Sequence, residues 1–367
     1  MAALAIDNPK ETPNNPNTVS LKGLNDTFCP QCVNPLAKDL RKLFKDSNIA
    51  CENVSDAVFA FLATKFRKKP SSSEKPTLLG EGMFGKVYKV GDYAIKRITR
   101  FGDSIQLLIE LSMLAKLESP YIVKFEGFFI DSERNINIIM EYMSGGDLFN
   151  FFESSFGNKP SLETVLNILC NVAKGIHFLH TQSPPIVNRD LKLENILLDA
   201  HGNAKLSDFG TITFYLDKDH RITTGVNKVG SKEYLPPRDA EVSPAIDMYA
   251  FGIVCVMMLA TLLLTTEGFN SDSFIDMYNT NQTLNMFDMV KESLDENKEN
   301  EVVDAELLSL IKSCLDVEAR NRPSAEAMVN RLSELVTRKR KSLDSVSTSA
   351  LEELVEAQQE TVKKLKS

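Results

Sequence analysis

The sequence predicts an α+β fold with a small β-rich lobe, a larger and mainly helical lobe, and helical extensions at both ends. Strand-like segments begin at Pro76, and long helical patterns follow them to about Val336. The 367 residues, 43% of them apolar and 25% charged, suffice for one large domain or two. We therefore expect an extension over residues 1–75, a domain over 76–336 and a tail over 337–367.

The extension is expected to be partly disordered and to contain two short helices. Pro, Asn and Thr dominate up to Asn17, and the helical patterns LAKDLRKLF and SDAVFAFLATKFRKK follow. In the second pattern Val58, Phe59, Phe61, Leu62 and Phe66 recur at spacings that predict an amphipathic helix. These helices could pack on the domain that follows or bind a partner protein, and the sequence favours neither.

Charge and cysteine content exclude several classes of protein. The 42 Lys and Arg residues against 50 Asp and Glu give a formal net charge of −8, so the chain does not coat nucleic acid through bulk positive charge. Its 6 cysteines are too scattered for a secreted disulfide framework. The first residues lack the basic stretch followed by an apolar stretch that is typical of a secretory signal peptide. We expect reduced thiols and a cytoplasmic protein.

The most apolar run is AFGIVCVMMLATLLL, residues 250–264. It is shorter than the roughly 20 residues that a membrane-spanning helix needs. We therefore expect a buried core helix and no transmembrane segment.

The stretch LLGEGMFGKVYKVGDYAIKR begins the domain, and Gly80, Gly82 and Gly85 give it the pattern GxGxxG. A dinucleotide-binding fingerprint opens a helix, whereas VYKV, GD and YAIK indicate a strand, a turn and a strand. Such a glycine-rich hairpin can approach phosphates closely and offer them N–H groups, with Lys96 as a point charge. An ordinary glycine-containing hairpin is the alternative.

Two later stretches, SPPIVNRDLKLENILLD and HGNAKLSDFG, carry polar side chains between apolar flanks. The Asp190 carboxylate could accept or orient a hydroxyl proton. Asn195 and Asp208 offer the hard oxygen ligands that Mg²⁺ prefers. Each residue alone would suit a solvated loop, but their order and spacing after the glycine-rich hairpin favour a catalytic site.

Together these motifs resemble those of eukaryotic-type (Hanks-type) Ser/Thr protein kinases, from about Thr77 to Val336. The resemblance implies a bilobal protein-kinase fold, with a β-rich N-lobe that carries one key helix and a mainly α-helical C-lobe. It also implies ATP and Mg²⁺ as cofactors and a protein substrate with a serine or threonine acceptor.

The resemblance assigns a role to each chemical group. Lys96 would hold the α- and β-phosphates, with Glu110 on the next helix as its ion-pair partner. Asp190 would accept the substrate hydroxyl proton, and Asn195 with Asp208 would hold Mg²⁺. The expected catalytic residues are Lys96, Glu110, Asp190, Lys192, Asn195 and Asp208.

The resemblance also places the nucleotide. Val87, Ala94 and Leu197 would enclose the adenine, Met140 would be the gatekeeper before the hinge, and Asp147 would reach the ribose. The residues expected to bind ATP are Leu79, Gly80, Glu81, Gly82, Met83, Phe84, Gly85, Lys86, Val87, Ala94, Lys96, Met140, Glu141, Met143, Asp147 and Leu197.

Further positions refine the expected activity. Lys192 and Ser231 occupy positions where serine/threonine kinases, rather than tyrosine kinases, carry a lysine and a threonine. Asp247 in IDMYAFG would brace the backbone of the catalytic loop. A phosphate on Thr223 or Thr224 could pair with Arg189 and order the segment around it. Autophosphorylation is expected.

The chain departs from the family pattern at three places. Asn188 stands where the family has a histidine, which predicts weaker packing beneath Phe209. Arg238 replaces the glutamate that pairs with the arginine matched by Arg322, so that contact must be rearranged or solvated. Tyr249 replaces a common tryptophan.

These departures leave an alternative open, a catalytically weak, pseudokinase-like scaffold that binds ATP and partner proteins. All of the expected phosphate and metal ligands are nevertheless present in the sequence. A scaffold would not need all of them, and we therefore expect an active enzyme.

The flanks carry weaker signals. Cys29 and Cys32 form CPQC, which is at most half of a four-ligand zinc site and is better explained by a reducible pair or two plain thiols. The basic residues from Arg338 to Lys341 would suit nuclear import or an anionic lipid surface, although a solvated helix end is the simpler explanation. A final helical pattern in the tail could bind a partner protein.

Overall fold

The computed structural model describes residues 37–47, 49, 54–73, 75–82, 85–98, 104–155, 158–215, 230–236, 242–263, 282–296 and 305–338. The chain forms two compact units. The first comprises the chain up to Met143 with residues 179–191 and 207–247, and the second comprises the remainder. Among the described residues, no helix is long and apolar enough to cross a membrane.

A five-stranded antiparallel sheet forms the centre of the first unit. Its strands are β1 (Thr77–Gly82), β2 (Gly85–Val90), β3 (Tyr93–Ile98), β4 (Phe125–Ile130) and β5 (Ile136–Glu141). They lie in the order β1-β2-β3-β5-β4. The residues after the glycine-rich segment therefore form a strand, a turn and a strand, as the sequence predicts, and not the helix of a dinucleotide-binding fingerprint.

Three helices accompany this sheet. They are α1 (Ala37–Asp46), α2 (Asp56–Lys65) and α3 (Ser104–Lys116). Helix α2 packs against α1, α3 and strand β4. Of the two alternatives that the sequence left open for the extension, the structure shows packing on the chain's own domain.

The second unit is mainly helical. It contains α4 (Leu148–Ser154), most of α5 (Leu162–His180) and of α6 (Pro244–Ala260), then α7 (Thr283–Glu296), α8 (Ala305–Cys314) and α9 (residues 325–338). A small sheet in the order β6-β8-β9 combines β6 (Gly146–Asp147), β8 (Ile196–Leu198) and β9 (Ala204–Leu206). Strands β7 (Ile186–Val187) and β10 (Thr213–Phe214) pair with each other in the first unit. A β-rich unit and a helical unit are the predicted α+β composition.

The apolar run that the sequence assigns to a core helix lies mostly in α6. Phe251, Val254 and Met258 are fully buried there, and the rest of the run up to Leu263 is buried. The prediction of a buried helix is confirmed for the described part of this run.

Several sequence predictions concern residues outside the described part of the chain. They are Met83, Phe84, Cys29, Cys32, Thr223, Thr224, Arg238, residues 339–341 and the final helical pattern of the tail.

The sequence predicts that Arg322 cannot pair with Arg238 as the family's arginine pairs with a glutamate. The structure describes Arg322 and shows which groups it contacts. Its Nε donates to the backbone oxygen of Asp316 at 2.9 Å, and an Nη donates to that of Val317 at 3.2 Å. Its guanidinium lies 5.0 Å from the ring centroid of Tyr249, and burial lowers its pKa. Backbone carbonyls and an aromatic face thus stabilise this buried cation.

Gly252 lets α6 pass close to the end of α8. A Cβ atom added at Gly252 would lie 2.8 Å from both Cys314 Cβ and Leu315 Cδ2. We expect Gly252→Ala to lower the free energy of unfolding by about 1–2 kcal/mol, because overpacking at two contacts this short costs about 2–3 kcal/mol. The gain of alanine over glycine in a helix returns only roughly 1 kcal/mol of this cost. Urea titration measures this, with an unchanged m-value as the control. A variant as stable as the wild type would show that the two helices separate at no cost.

Candidate active site

The register of the sheet brings four predicted site residues to one face. Val87 is opposite Lys96 across β2 and β3, and Ala94 is opposite Met140 across β3 and β5. Residues two apart in a strand share a face, so Ala94 and Lys96 lie on the same side. Three apolar side chains therefore accompany one ammonium group, an arrangement that suits a ligand with an aromatic ring and an anionic end.

Lys96 is held between two carboxylates of the first unit. Its Nζ lies 2.8 Å from Glu110 Oε1 on α3 and 2.9 Å from Asp208 Oδ1. The Lys96 and Glu110 side chains are 12% and 8% exposed, whereas that of Asp208 is 39% exposed. The pair predicted between Lys96 and Glu110 is therefore formed, and Asp208 joins it.

Burial and charge act in opposite directions on this cluster. Burial alone would lower the pKa of Lys96, but the charges of Asp208 and Glu110 outweigh it and hold that pKa above its usual value. Burial raises the pKa of Glu110, an effect that Lys96 opposes. The ammonium group therefore stays charged and offsets part of the cost of ionising the buried carboxylate.

Asp190 is bound to the segment that contains Ser231. Its Oδ1 accepts from the backbone N–H of Ser231 at 3.0 Å and from the hydroxyl of Ser231 at 3.1 Å. Gly230 makes this approach possible, because it has a φ of +98° and a Cβ at this position would collide with the backbone oxygen of Arg189. The carboxylate of Asp190 thus accepts a hydrogen bond from an alcohol of the chain itself, the Ser231 hydroxyl.

Asp247 braces the backbone before Asp190, as the sequence predicts. Its fully buried carboxylate accepts from the backbone N–H of Asn188 at 2.8 Å and from that of Arg189 at 2.9 Å. His180 Nε2 lies 2.9 Å from the same carboxylate. Three partners therefore fix both oxygens of Asp247 and, through them, the loop that carries Asp190.

The side chain of Asn188 has a specific partner. Its Oδ1 accepts from the backbone N–H of Asp190 at 3.0 Å, and its backbone oxygen accepts from the Thr211 hydroxyl at 3.0 Å. Phe209, beneath which the sequence predicts weaker packing, is fully buried. The amide makes a short local hydrogen bond at the position where the family has an imidazole.

Asp208 and Arg189, the residue before Asp190, have strained backbones. Arg189 has a φ of 67° and Asp208 a φ of 53°, in the left-handed region that residues other than glycine adopt rarely. Arg189 Nε donates to the backbone oxygen of Thr211 at 2.7 Å, and burial lowers the pKa of Arg189 to about 10. Strain of this kind persists where the surroundings impose it, and it clusters at functional sites.

The remaining predicted residues are distributed over both units. Leu79, Gly80, Glu81 and Gly82 lie in β1, Gly85, Lys86 and Val87 in β2, and Glu141 in β5. Met143 ends the first segment of the first unit. Lys192, Asn195, Leu197 and Asp147 belong to the second unit, where Leu197 is paired with Asp147 across β8 and β6.

Two of these second-unit residues have local structural duties. The Asp147 carboxylate caps α4 by accepting from the backbone N–H of Asn150 at 2.8 Å and from its side-chain Nδ2 at 2.7 Å. Asn195 ends a 3-10 turn, in which its N–H donates to the backbone oxygen of Lys192 at 3.1 Å. The described residues hold no cluster of three His, Cys, Asp or Glu side chains suited to a metal ion.

Sequence analysis missed two contributors to the site, His180 and Gly230. His180 ends a helix 67 residues before its partner Asp247, and nothing in its neighbourhood marks it. Gly230 precedes Ser231, and a lone glycine in a polar stretch carries only a weak turn signal. Both roles depend on contacts between segments that are distant in the sequence.

The family model of the protein kinase domain matches residues 73–332. This range contains the cluster of Lys96, Glu110 and Asp208 as well as Asp190, whereas helices α1 and α2 lie before it.

Three relatives from Arabidopsis thaliana illustrate the likeness. The LRR receptor-like serine/threonine-protein kinase FEI 2 is 30% identical over 74% of this chain and 47% of its own length. The calmodulin-binding receptor-like cytoplasmic kinase 2 is 29% identical over 67% of this chain and 64% of its own length. The probable serine/threonine-protein kinase PBL28 is 30% identical over 71% of this chain and 75% of its own length. The chain thus spans about half the length of the first of these relatives.

Removal of the Lys96 charge is expected to make stability depend on pH. In Lys96→Met the buried carboxylate of Glu110 loses its cation, and burial then raises the pKa of Glu110 without this opposition. A carboxyl with a raised pKa in the folded state destabilises the fold at high pH, and this loss disappears as Glu110 becomes protonated. Thermal midpoints should therefore differ most from wild type near about pH 8 and least near about pH 5.

The double variant Lys96→Met/Glu110→Gln is the matched control, because it carries no titrating group at position 110. Its difference from wild type should vary much less over the same pH range. A pH-independent deficit in the single variant would contradict the buried ion pair.

Proposed function

The chain belongs to the protein kinase family, and on this premise we propose that it transfers the γ-phosphate of ATP to serine or threonine hydroxyls of protein substrates. The observation that carries this proposal is the placement of Lys96 Nζ between Glu110 and Asp208 at 2.8 and 2.9 Å. A lysine held in this way is the point charge that a kinase uses for the α- and β-phosphates.

The residues present suit MgATP. Val87, Ala94 and Met140 form an apolar face beside Lys96, which supports an adenine at one end and phosphates at the other. Asp208 keeps a partly exposed carboxylate, and Asn195 offers an amide oxygen, the hard donors that Mg²⁺ takes together with substrate phosphates. Bound MgATP supplies the phosphoryl group and the charge neutralisation that a loose transition state requires.

Asp190 is the proposed acceptor of the substrate hydroxyl proton. Its Oδ1 accepts a hydrogen bond from the Ser231 hydroxyl, which supports the ability of this carboxylate to orient an alcohol. Asp247 keeps the backbone of Asn188 and Arg189 in place, so Asp190 is presented from a fixed loop. Positioning of this kind supplies most of the catalysis in phosphoryl transfer.

Serine and threonine are the proposed acceptors on two grounds. Lys192 and Ser231 resemble the choices of serine/threonine kinases, and the relatives' names include serine/threonine-protein kinases. We extend the proposal to autophosphorylation and to a cytoplasmic location, the latter on the name of the cytoplasmic relative. The nuclear alternative drawn from the basic residues after Thr337 has no such support.

The second candidate, a scaffold that binds ATP without efficient transfer, is disfavoured by the geometry around Asp190. A scaffold needs only the nucleotide site. Yet hydrogen bonds fix the backbone and the carboxylate of Asp190, just as two carboxylates fix Lys96. Asn188 provides a hydrogen bond to this loop, and Gly230 provides the space for Ser231.

Asp190→Asn tests the proposed function directly. We expect the wild type to transfer labelled γ-phosphate to itself and to a basic protein mixture, and the variant to lose about 100-fold or more in kcat. Phosphoamino-acid analysis should show phosphoserine or phosphothreonine, and calorimetry should show that both proteins bind MgATP. A folded, ATP-binding wild type that transfers nothing would favour the scaffold, and phosphotyrosine alone would contradict the proposed acceptor.

Asn188→Ala tests the local hydrogen bond to Asp190. Loss of the acceptor for the Asp190 N–H should lower kcat by about three- to tenfold and leave KM for ATP unchanged, because one neutral hydrogen bond is lost. Asn188→Ser should fall between wild type and Asn188→Ala, since a serine hydroxyl makes the same local bond more weakly. An Asn188→Ala enzyme with wild-type kcat would exclude a positioning role for this amide.

A further inference from the structure

The helix that carries Glu110 is buried on more than one face. Every side chain of α3 described from Leu107 to Ala115, including that of Ser112, is buried. A helix on the surface of a domain normally exposes one face to water. The outer face of α3 must therefore be covered, and α2 is the helix that packs against it.

Helices α1 and α2 are joined to the sheet through aromatic rings. Phe44 on α1 lies 5.7 Å from Phe59 on α2 and 6.1 Å from Phe128 on β4, in edge-to-face geometry. Phe66, just after α2, has its ring centroid 5.4 Å from that of Phe128. Phe44, Phe59 and Phe128 are fully buried, so this cluster holds the two helices on the sheet by apolar burial and ring contacts.

The sheet is shaped to receive the chain that follows α2. Arg67 N–H donates to the backbone oxygen of Phe128 at 2.9 Å. Gly127 has a φ of +139°, and a Cβ there would lie 2.5 Å from Arg67 Cγ and 2.6 Å from the Lys65 backbone oxygen. A glycine inside a strand often marks close approach of another backbone, and here that backbone belongs to the extension.

Contacts at both ends support the docked position. Lys65 Nζ lies 3.5 Å from Glu118 Oε1, just beyond the end of α3. Arg134, in the turn between β4 and β5, donates to the backbone oxygen of Asp46 at 2.8 Å. The extension thus contacts the sheet, the turn beside it and the helix that carries Glu110.

We propose that helices α1 and α2, with the chain from α2 to Arg67, act as an internal brace that positions α3, so that phosphoryl transfer depends on a segment outside the matched kinase domain. Phe44, Phe59 and Gly127 are positioning residues, because they hold α2 on the sheet and α2 packs against α3, the helix that carries Glu110. This inference rests on the proposed function for its activity readout. Any event that lifts the brace would separate Glu110 from Lys96 and lower activity.

The test uses the full chain with two kinds of variant. Phe44→Ala removes a ring from the cluster, and Gly127→Ala obstructs the path of residues 65–67. Gly202→Ala is the matched control for the second, because Gly202 also has a positive φ, of 78°, but nothing lies within 4 Å of a Cβ there. Phe44→Leu keeps apolar volume and should restore most of what Phe44→Ala loses.

At a temperature where all variants are folded, Phe44→Ala and Gly127→Ala should lower kcat/KM by about tenfold or more, because small displacements of positioned groups are costly. The control should stay near wild type. In a Glu110→Gln background the same two changes should have little further effect, since residues that act through one contact are not additive. An equal loss in both backgrounds would overturn the brace.

Hydrogen exchange provides a readout that does not require activity. Amides of α3 should lose protection in Phe44→Ala and Gly127→Ala, while those of β5 keep theirs. If the wild type transfers no phosphate, the proposed function fails and exchange alone decides the brace. If the wild type is active and α3 stays protected in both variants, the brace fails and the proposed function stands.

Discussion

The ammonium group of Lys96 is the charge on which the candidate site depends. It lies on a strand, and its two carboxylate partners come from a helix and from the segment after β9, so one contact links three parts of the first unit. Glu110 is too buried to be ionised at low cost without that cation. The contact therefore stabilises the fold as well as the candidate site, and whatever displaces α3 also changes the charge beside Lys96.

The buried carboxylate of Asp247 is a second fixed group, and it supports the loop that carries Asp190. It binds the backbone ahead of Asp190 rather than any side chain that meets a substrate. Fixed backbone of this kind is what holds Arg189 in a left-handed conformation that it would not adopt by itself. The site thus combines a lysine fixed by side-chain charges with an aspartate fixed by its backbone.

The sequence predicts these groups unequally well, for physical reasons. The family resemblance requires an ion-pair partner for Lys96 on the helix after β3, and Glu110 is the one carboxylate in α3. Lys96 is marked by the strand and turn signals around it. The role of His180 depends on a contact across 67 residues, which local pattern does not encode. The extension shows the same limit: helical spacing predicts that α2 has apolar side chains to bury, but only the fold shows that α2 packs against α1, α3 and β4.

The departures from the family pattern fall on residues that support the reacting groups, not on those that would touch phosphate or metal. Asn188 replaces a ring by a short amide that binds the Asp190 N–H, and the buried state of Phe209 shows that the smaller side chain leaves no exposed gap there. Arg322 finds backbone carbonyls and the ring of Tyr249. Supporting positions tolerate such exchanges because geometry can be maintained by different contacts, whereas a phosphate ligand has to keep its charge. The departures therefore alter how the candidate site is supported and leave in place the groups that the proposed phosphoryl transfer would use.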